Sequence, residues 1–441
     1  MHLKNVLSVF LRMKKIFFFG KSSRFQKNFV KVARANFAAQ LFPFLATPIL
    51  TRLYSPDDFG LVVLFFSCLS FLLIFATWRV EWSIPNAKSE QDKDGLVFIG
   101  LVFLATTCSI LLLLLPLNSQ DLLQETRLEG FSPNLFILIC ALFGAGVAQI
   151  ITGVNIRNAD MSPVSLATVV RAVLTISFSI IFGISKSLIV GLVFANIIGI
   201  WMETVVLVQK SEIHLFSTKK MSFKELTTVW NKYRKECSLS VAVAAVNYGF
   251  IALLPLSLVA IYSVKEVGYY AIATKIAVAP TRLISQAVSQ SFWAESSQLI
   301  KQDPSSLKAT YKKTLLNLSL LSIFPIIVCV CGPLYMGTIF GHKDWSDAGM
   351  IVFAMTPQVV GTLIFGSTNH LTVYSKQQYQ LFSDSATIVS CLAWLILASA
   401  VNLGFVSTIF GVSLITFLGY ILRFHLHLKA NREYIDDLNS V

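Results

Sequence analysis

The stretches TRLYSPDDFG (51–60) and VAIYSVKEVG (259–268) decide the reading of this chain. Each is a small polar turn between two apolar runs. Tyr54 matches Tyr262, Ser55 matches Ser263, Asp58 matches Glu266 and Gly60 matches Gly268, all at a constant offset of 208 residues. Each serine can cap the helix that follows, and the acidic residue three positions on can return the bond, which makes a capping box. Pro56 suits the first helical position, and Asp57, Asp58 and Glu266 suit the positive end of a helix dipole. Two such boxes with the same preceding Tyr and following Gly predict an internal duplication.

The runs around the turns set the class. Of 441 residues 55% are hydrophobic and 13% charged, about half the charge of a soluble domain. Too few polar residues remain to cover a water-facing surface, so the chain reads as an all-α polytopic membrane protein. Twelve apolar spans are expected near 34–53, 59–78, 96–117, 132–153, 163–184, 187–208, 238–261, 267–293, 315–340, 349–374, 381–402 and 404–426. The first and eighth are the most polar. Each turn falls between the first and second span of a set of six. An even number of spans per set gives two parallel lobes around a central cavity, related by an axis along the membrane normal. The expected organisation is a basic segment 1–33, an N-lobe 34–208, a connection 209–237, a C-lobe 238–426 and a tail 427–441.

The net charge of +13 belongs to orientation rather than to nucleic acid, because the cations fall in loops. With the N-terminus inside, cytoplasmic segments hold 28 Lys and Arg and outer loops hold 5. That asymmetry places both termini in the cytoplasm. The N-terminal MHLKNVLSVFLRMKKIFFFG reads as a basic surface helix or tail, since cations break its apolar runs. The seven cysteines lie in or beside apolar runs without metal-ligand spacing; Cys329 and Cys331 point about 200° apart around a helix. No cofactor and no metal are expected. There is no phosphate-binding loop for ATP, no paired carboxylates in an outer loop and no outer loop large enough for an active site, so the chain does not read as an enzyme.

Ionisable and amide residues inside the spans are the candidate site, because each is costly there. At helical spacing Lys275, Arg282, Gln286 and Gln290 fall on one face of the eighth span, beside Pro280. Arg offers a bidentate fork and Lys a point charge, which suits a phosphate group; ion pairing with carboxylates elsewhere in the bundle is the alternative. Arg34, Asn36 and Gln40 in the first span and Asn247 in the seventh join them as candidate binding residues. Arg171 and Glu203, on consecutive spans, read as an ion pair or a coupling site. Asp384 and His370 are candidates for coupling, with solvation at the inner surface as the plainer reading of Asp384.

PILTRLYSPDDFGLVVLFFS (48–67) and RVEWSIPNAKSEQDKDGL (79–96) resemble the early-span motifs of Wzx-type O-antigen and capsule flippases, within the multidrug/oligosaccharidyl-lipid/polysaccharide (MOP) exporter superfamily. The first matches their Arg-Leu-x-x-Pro-acidic-acidic-aromatic-Gly turn and the second their Glu-x-x-Ile-Pro segment; Trp82 departs from the usual small apolar residue. The resemblance implies a bacterial inner-membrane flippase acting in lipopolysaccharide or capsule assembly. Its substrate would be undecaprenyl-pyrophosphate-linked oligosaccharide, moved from the inner to the outer leaflet. It further implies membrane lipids and other polysaccharide-assembly membrane proteins as partners. A drug antiporter of the same superfamily and a peptidoglycan-precursor flippase are the alternatives. An antiporter of cations should favour acidic residues in the cavity, whereas here the deep charges lean positive. Lys275 and Arg282 correspond to Ser67 and Ile74 in the first set of spans, so the duplicated scaffold carries its charge on the second.

Overall fold

The computed structural model describes residues 24–114, 135–185, 188–211, 222–247, 249–286, 288–289, 307–341, 345–366, 371 and 376–439. All regular structure among them is helical. In chain order the helices are α1 (Arg24–Leu53), α2 (Pro56–Ala76), α3 (Val80–Ser83), α4 (Glu90–Leu114), α5 (Leu135–Arg157), α6 (Ser162–Ile184), α7 (Leu188–Lys210) and α8 (Phe223–Asn247). The second half contributes α9 (Gly249–Ile261), α10 (Val264–Ala273), α11 (Leu307–Val330), α12 (Gly332–Ile339), α13 (Ser346–Ala354), α14 (Thr356–Ile364), α15 (Gln377–Ala400) and α16 (Phe405–Asn439).

Seven described helices are long and apolar enough to cross a bilayer, and two bent pairs, α11–α12 at 61° and α13–α14 at 45°, bring the number to nine. Each bend has a proline just beyond it. Pro333 and Pro357 sit in the first turn of the second member, where a missing N–H costs nothing, but neither can continue the preceding helix. The three remaining expected spans fall in α1, in α8 with α9, and in α10 with its continuation. The apolar part of α1 is Phe37–Leu53, which contains Pro43 and Pro48. The seventh is divided between α8 and α9, and the eighth is α10 with its continuation. The expected connection 209–237 is helical from Phe223 on, because α8 starts there and runs into the seventh span.

Both predicted capping boxes are present. The Ser55 hydroxyl accepts from the Asp58 N–H at 3.3 Å and the Asp58 carboxylate accepts from the Ser55 N–H at 2.8 Å. Ser263 and Glu266 repeat this at 3.3 and 2.9 Å. The repeated tyrosines have matching roles as well. Tyr54 donates to the Ser179 carbonyl in α6 at 2.7 Å, and Tyr262 donates to the Leu403 carbonyl just beyond α15 at 2.8 Å. Each turn is thereby tied to the fifth span of its own set. Tyr54 is buried, so Tyr54→Phe should cost about 1 kcal/mol, seen as a lower midpoint of thermal unfolding in detergent.

The two turns also meet each other. Helices α2 and α10 cross at their first turns, and the crossing is reciprocal. A Cβ added at Gly60 would lie 2.1 Å from the Val264 carbonyl oxygen, and one at Gly268 would lie 1.8 Å from that of Pro56. Pro56 and Val264 are themselves equivalent under the 208-residue offset. Residue i of one copy thus faces residue j of the other, and j faces i, as at a two-fold interface. Only glycine lets the backbones approach this closely.

Candidate functional site

The crossing is capped by aromatic rings from both halves of the chain. Phe59, at 1% exposure, packs edge-on against Trp345 with ring centroids 5.4 Å apart, and Tyr269 meets the same indole at 6.1 Å. The Trp345 N–H donates to the Thr51 carbonyl at 2.9 Å, so the indole bridges the end of α1 to the start of α13. Arg52 adds a donor to the Ile339 carbonyl at 3.3 Å. Such ring pairs contribute about 0.5–1.5 kcal/mol each beyond their burial. Together these contacts close the molecule at the end that carries the two turns.

Directly below the seal lies the first sequence-predicted site residue. The Lys275 ammonium sits 5.1 Å from the centre of the Phe59 ring. Lys275 belongs to a π-helical stretch, Thr274–Val278, that interrupts the helix begun by α10. A π turn is wider than an α turn, so it rotates everything after it relative to everything before it. The predicted single face is bent for this reason: Lys275 is drawn up to the seal, while Arg282 and Gln286 lie four residues apart on an exposed face. Gln290 and His370 lie outside the described residues.

The remaining predicted residues divide. Gln40 is exposed on α1. Arg34 and Asn36 lie on α1 and Asn247 ends α8, but their side chains are outside the described set. Arg171 and Glu203 form an ion pair at 2.7 Å between α6 and α7, with side chains 40% and 17% exposed. Asp384 is not simply solvated: it pairs with Arg423 of α16, and both are mostly shielded. One turn further along α16, His427 is buried and stacks on Tyr311 of α11 at 4.8 Å.

At the far end of α2, the sequence reading missed a second organised region. Trp78 and Arg79 both adopt left-handed backbone, with φ of 50° and 55°, which is uncommon for large residues and costs of order 1 kcal/mol each. The bend lays α3 against α8. Asn86 donates to Glu236 at 2.5 Å, the Lys88 N–H to the Tyr233 hydroxyl at 3.2 Å, and Tyr233 to Asp92 at 2.9 Å. Lys232 of α8 also pairs with Asp92, and Arg157 pairs with Glu90 at 2.5 Å. Glu81 is buried within this bend, accepting from Thr77 at 2.8 Å with Arg79 at 3.5 Å. Burial pushes the Glu81 carboxyl above the usual carboxylate range, against the lowering by Thr77 and Arg79. The folded chain therefore holds this proton more tightly than the unfolded chain, and the group's contribution falls as pH rises from the ordinary carboxylate range through the raised value. Glu81→Gln should flatten the dependence of unfolding temperature on pH over that window, relative to the parent. The only advance sign of this region was the 79–96 motif, whose spacing carries no periodicity.

A family model described as polysaccharide biosynthesis protein matches residues 49–349, a segment that runs from the first turn past Trp345. The chain belongs to this polysaccharide biosynthesis family. Among solved structures, its fold is similar to the lipid II flippase MurJ in an inward closed conformation, at TM-score 0.70 and 12% identity over 92% of this chain and 91% of that one. It is similar also to a multidrug resistance MATE family transporter of the MOP superfamily in its inward-facing conformation, at TM-score 0.60 and 13% identity over 90% and 96%. A third is a MOP superfamily transporter from Pyrococcus furiosus described by the reverse polarity of its binding pocket, at TM-score 0.52 and 13% identity over 94% and 97%. No curated protein matches the chain. The family member described here is thus a multi-pass membrane protein with a fold like that of these transporters, and its two polar turns are where its own two halves cross.

Proposed function

We propose that this polysaccharide biosynthesis protein is a flippase for undecaprenyl-pyrophosphate-linked oligosaccharide, an O-antigen or capsule repeat unit, acting in the bacterial cytoplasmic membrane. Orientation by Lys and Arg puts both termini in the cytoplasm and the sealed crossing on the outer side, so the structure corresponds to a form closed outward. The N-lobe spans 34–208 and the C-lobe 238–426, joined by 209–237. The observation that carries the reading is the position of Arg282 and Gln286. They are exposed on the helical continuation of α10 beyond the π turn. A guanidinium facing lipid would be costly, so this face lines a water-filled cavity between the lobes.

A cationic cavity suits a pyrophosphate. Arg282 and Lys275 offset the headgroup charge and lower the cost of carrying it through a low-dielectric region, with Arg34, Asn36, Gln40, Gln290 and Asn247 contributing polar contacts to phosphate or sugar. The polyprenyl tail stays in lipid. Rocking of the lobes opens the outer crossing and closes the inner end. Arg171–Glu203 serves as a structural tie, and Asp384, His370 and Arg423 as candidates for ion coupling. The positive cavity disfavours a cation antiporter. Deleting the chain in its host should accumulate lipid-linked glycan in the inner leaflet and strip the surface polymer, and re-expression should reverse both. Unchanged glycan distribution would sink the reading.

A further inference from the structure

Lys275 has an unusual partner for a half-buried cation. Among the described residues, no carboxylate lies within ion-pair distance of it; Asp58, the acid nearest Phe59 in sequence, is committed to its capping box with Ser55. The ammonium instead rests on the ring of Phe59, a residue of the other half of the chain. Phe59 in turn precedes Gly60 of the crossing and supports Trp345. A cation–π contact satisfies an ammonium less well than a phosphate oxygen does, particularly away from water. The side chain of a helical residue also points toward the helix N-terminus, so the Lys275 stem reaches up from the cavity side to the seal. The π turn at Thr274–Val278 sets that register.

We propose that Lys275 is the residue by which the outer seal reads the charge of the substrate. Phe59 holds the ammonium while the cavity is empty. An anionic headgroup below competes for it, draws it off the ring, and removes the tie between the two halves that steadies Phe59 under the crossing. The seal then loosens for a charged headgroup and stays shut for a neutral lipid. This rests on the flippase reading, but it adds a specificity role and a coupling step that the reading does not require.

The test uses the full chain in lipid nanodiscs, with its seven cysteines replaced and spin labels at Asp57→Cys and Lys265→Cys, the exposed tips of the two turns. The probe is inorganic pyrophosphate, followed by calorimetry and by the inter-label distance. In the parent, pyrophosphate should bind and shift the population to longer distance. In Lys275→Met, which keeps the apolar stem, binding through Arg282 should persist about tenfold weaker while the distance no longer responds. Phe59→Leu should bind pyrophosphate several-fold tighter, since the competing ring is gone, and should show longer distances without ligand. A Lys275→Met protein that responds like the parent overturns the proposal, as does a Phe59→Leu protein unchanged in both readouts. Binding to the parent with no distance change overturns the coupling alone and leaves the flippase reading standing. Absence of pyrophosphate binding to the parent removes both.

Discussion

Gly268→Leu should leave a protein that inserts but does not transport. An added Cβ there would stand 1.8 Å from the Pro56 carbonyl oxygen, far inside the roughly 3.5–4.0 Å at which non-bonded heavy atoms sit comfortably. The obstacle is backbone on both sides, so no side chain can rotate away. Overpacking of this kind costs about 3 kcal/mol, and the strain falls only on the form in which α2 and α10 cross. A penalty of that size lowers the closed population roughly a hundredfold. The measurements are transport in the host and the distance between labels on the two turns, which should lengthen. Gly60→Leu should behave alike, because its Cβ would meet the Val264 carbonyl at 2.1 Å. Gly404→Ala is the control: nothing lies within 4 Å of a Cβ there, and it should be close to neutral. Normal transport by Gly268→Leu would show that the crossing need not close.

The crossing also shows what the sequence could and could not disclose. The repeat was legible because capping chemistry is local: a serine and an acid three residues on must sit at fixed positions to work. The same text held Gly60 and Gly268 at matching positions. Their reason, contact with each other, is a long-range fact that no spacing within one copy expresses. The ion pair of Arg171 and Glu203 was legible because consecutive antiparallel spans bring known depths together. The partner of Asp384 was not, since Arg423 lies on the next helix at a depth that depends on where α16 begins. The stripe on the eighth span was misjudged in one respect. Helical spacing assumes uniform winding, and the π turn at Thr274–Val278 breaks it, separating Lys275 from the face of Arg282. A π turn has no reliable sequence mark, and Pro280, two residues beyond it, was the only hint of irregular backbone. The left-handed pair Trp78–Arg79 escaped for the opposite reason: large residues give no warning of positive φ.

Arg282→Ala should abolish most transport while leaving folding intact. The side chain is exposed on its helix, so removing it leaves no buried group unpaired. The loss is instead borne by the ligand. A charge-assisted, bidentate bond to phosphate is worth about 1.5–3 kcal/mol, which corresponds to roughly a ten- to hundredfold fall in headgroup affinity. Arg282→Lys keeps the charge and loses the fork, and should retain an intermediate activity. Arg171→Ala supplies the comparison: it leaves Glu203, 17% exposed, without its partner, so it should lower the unfolding temperature while the protein that folds still transports. The readouts are inner-leaflet lipid-linked glycan in the host, pyrophosphate affinity of the purified protein and its unfolding temperature. An Arg282→Ala unfolding temperature equal to the parent's, with the loss of transport confined to that variant, would place the deficit at the headgroup. Full transport by a well-inserted Arg282→Ala protein would remove this arginine from the substrate path, and with it the reason for calling that face a cavity.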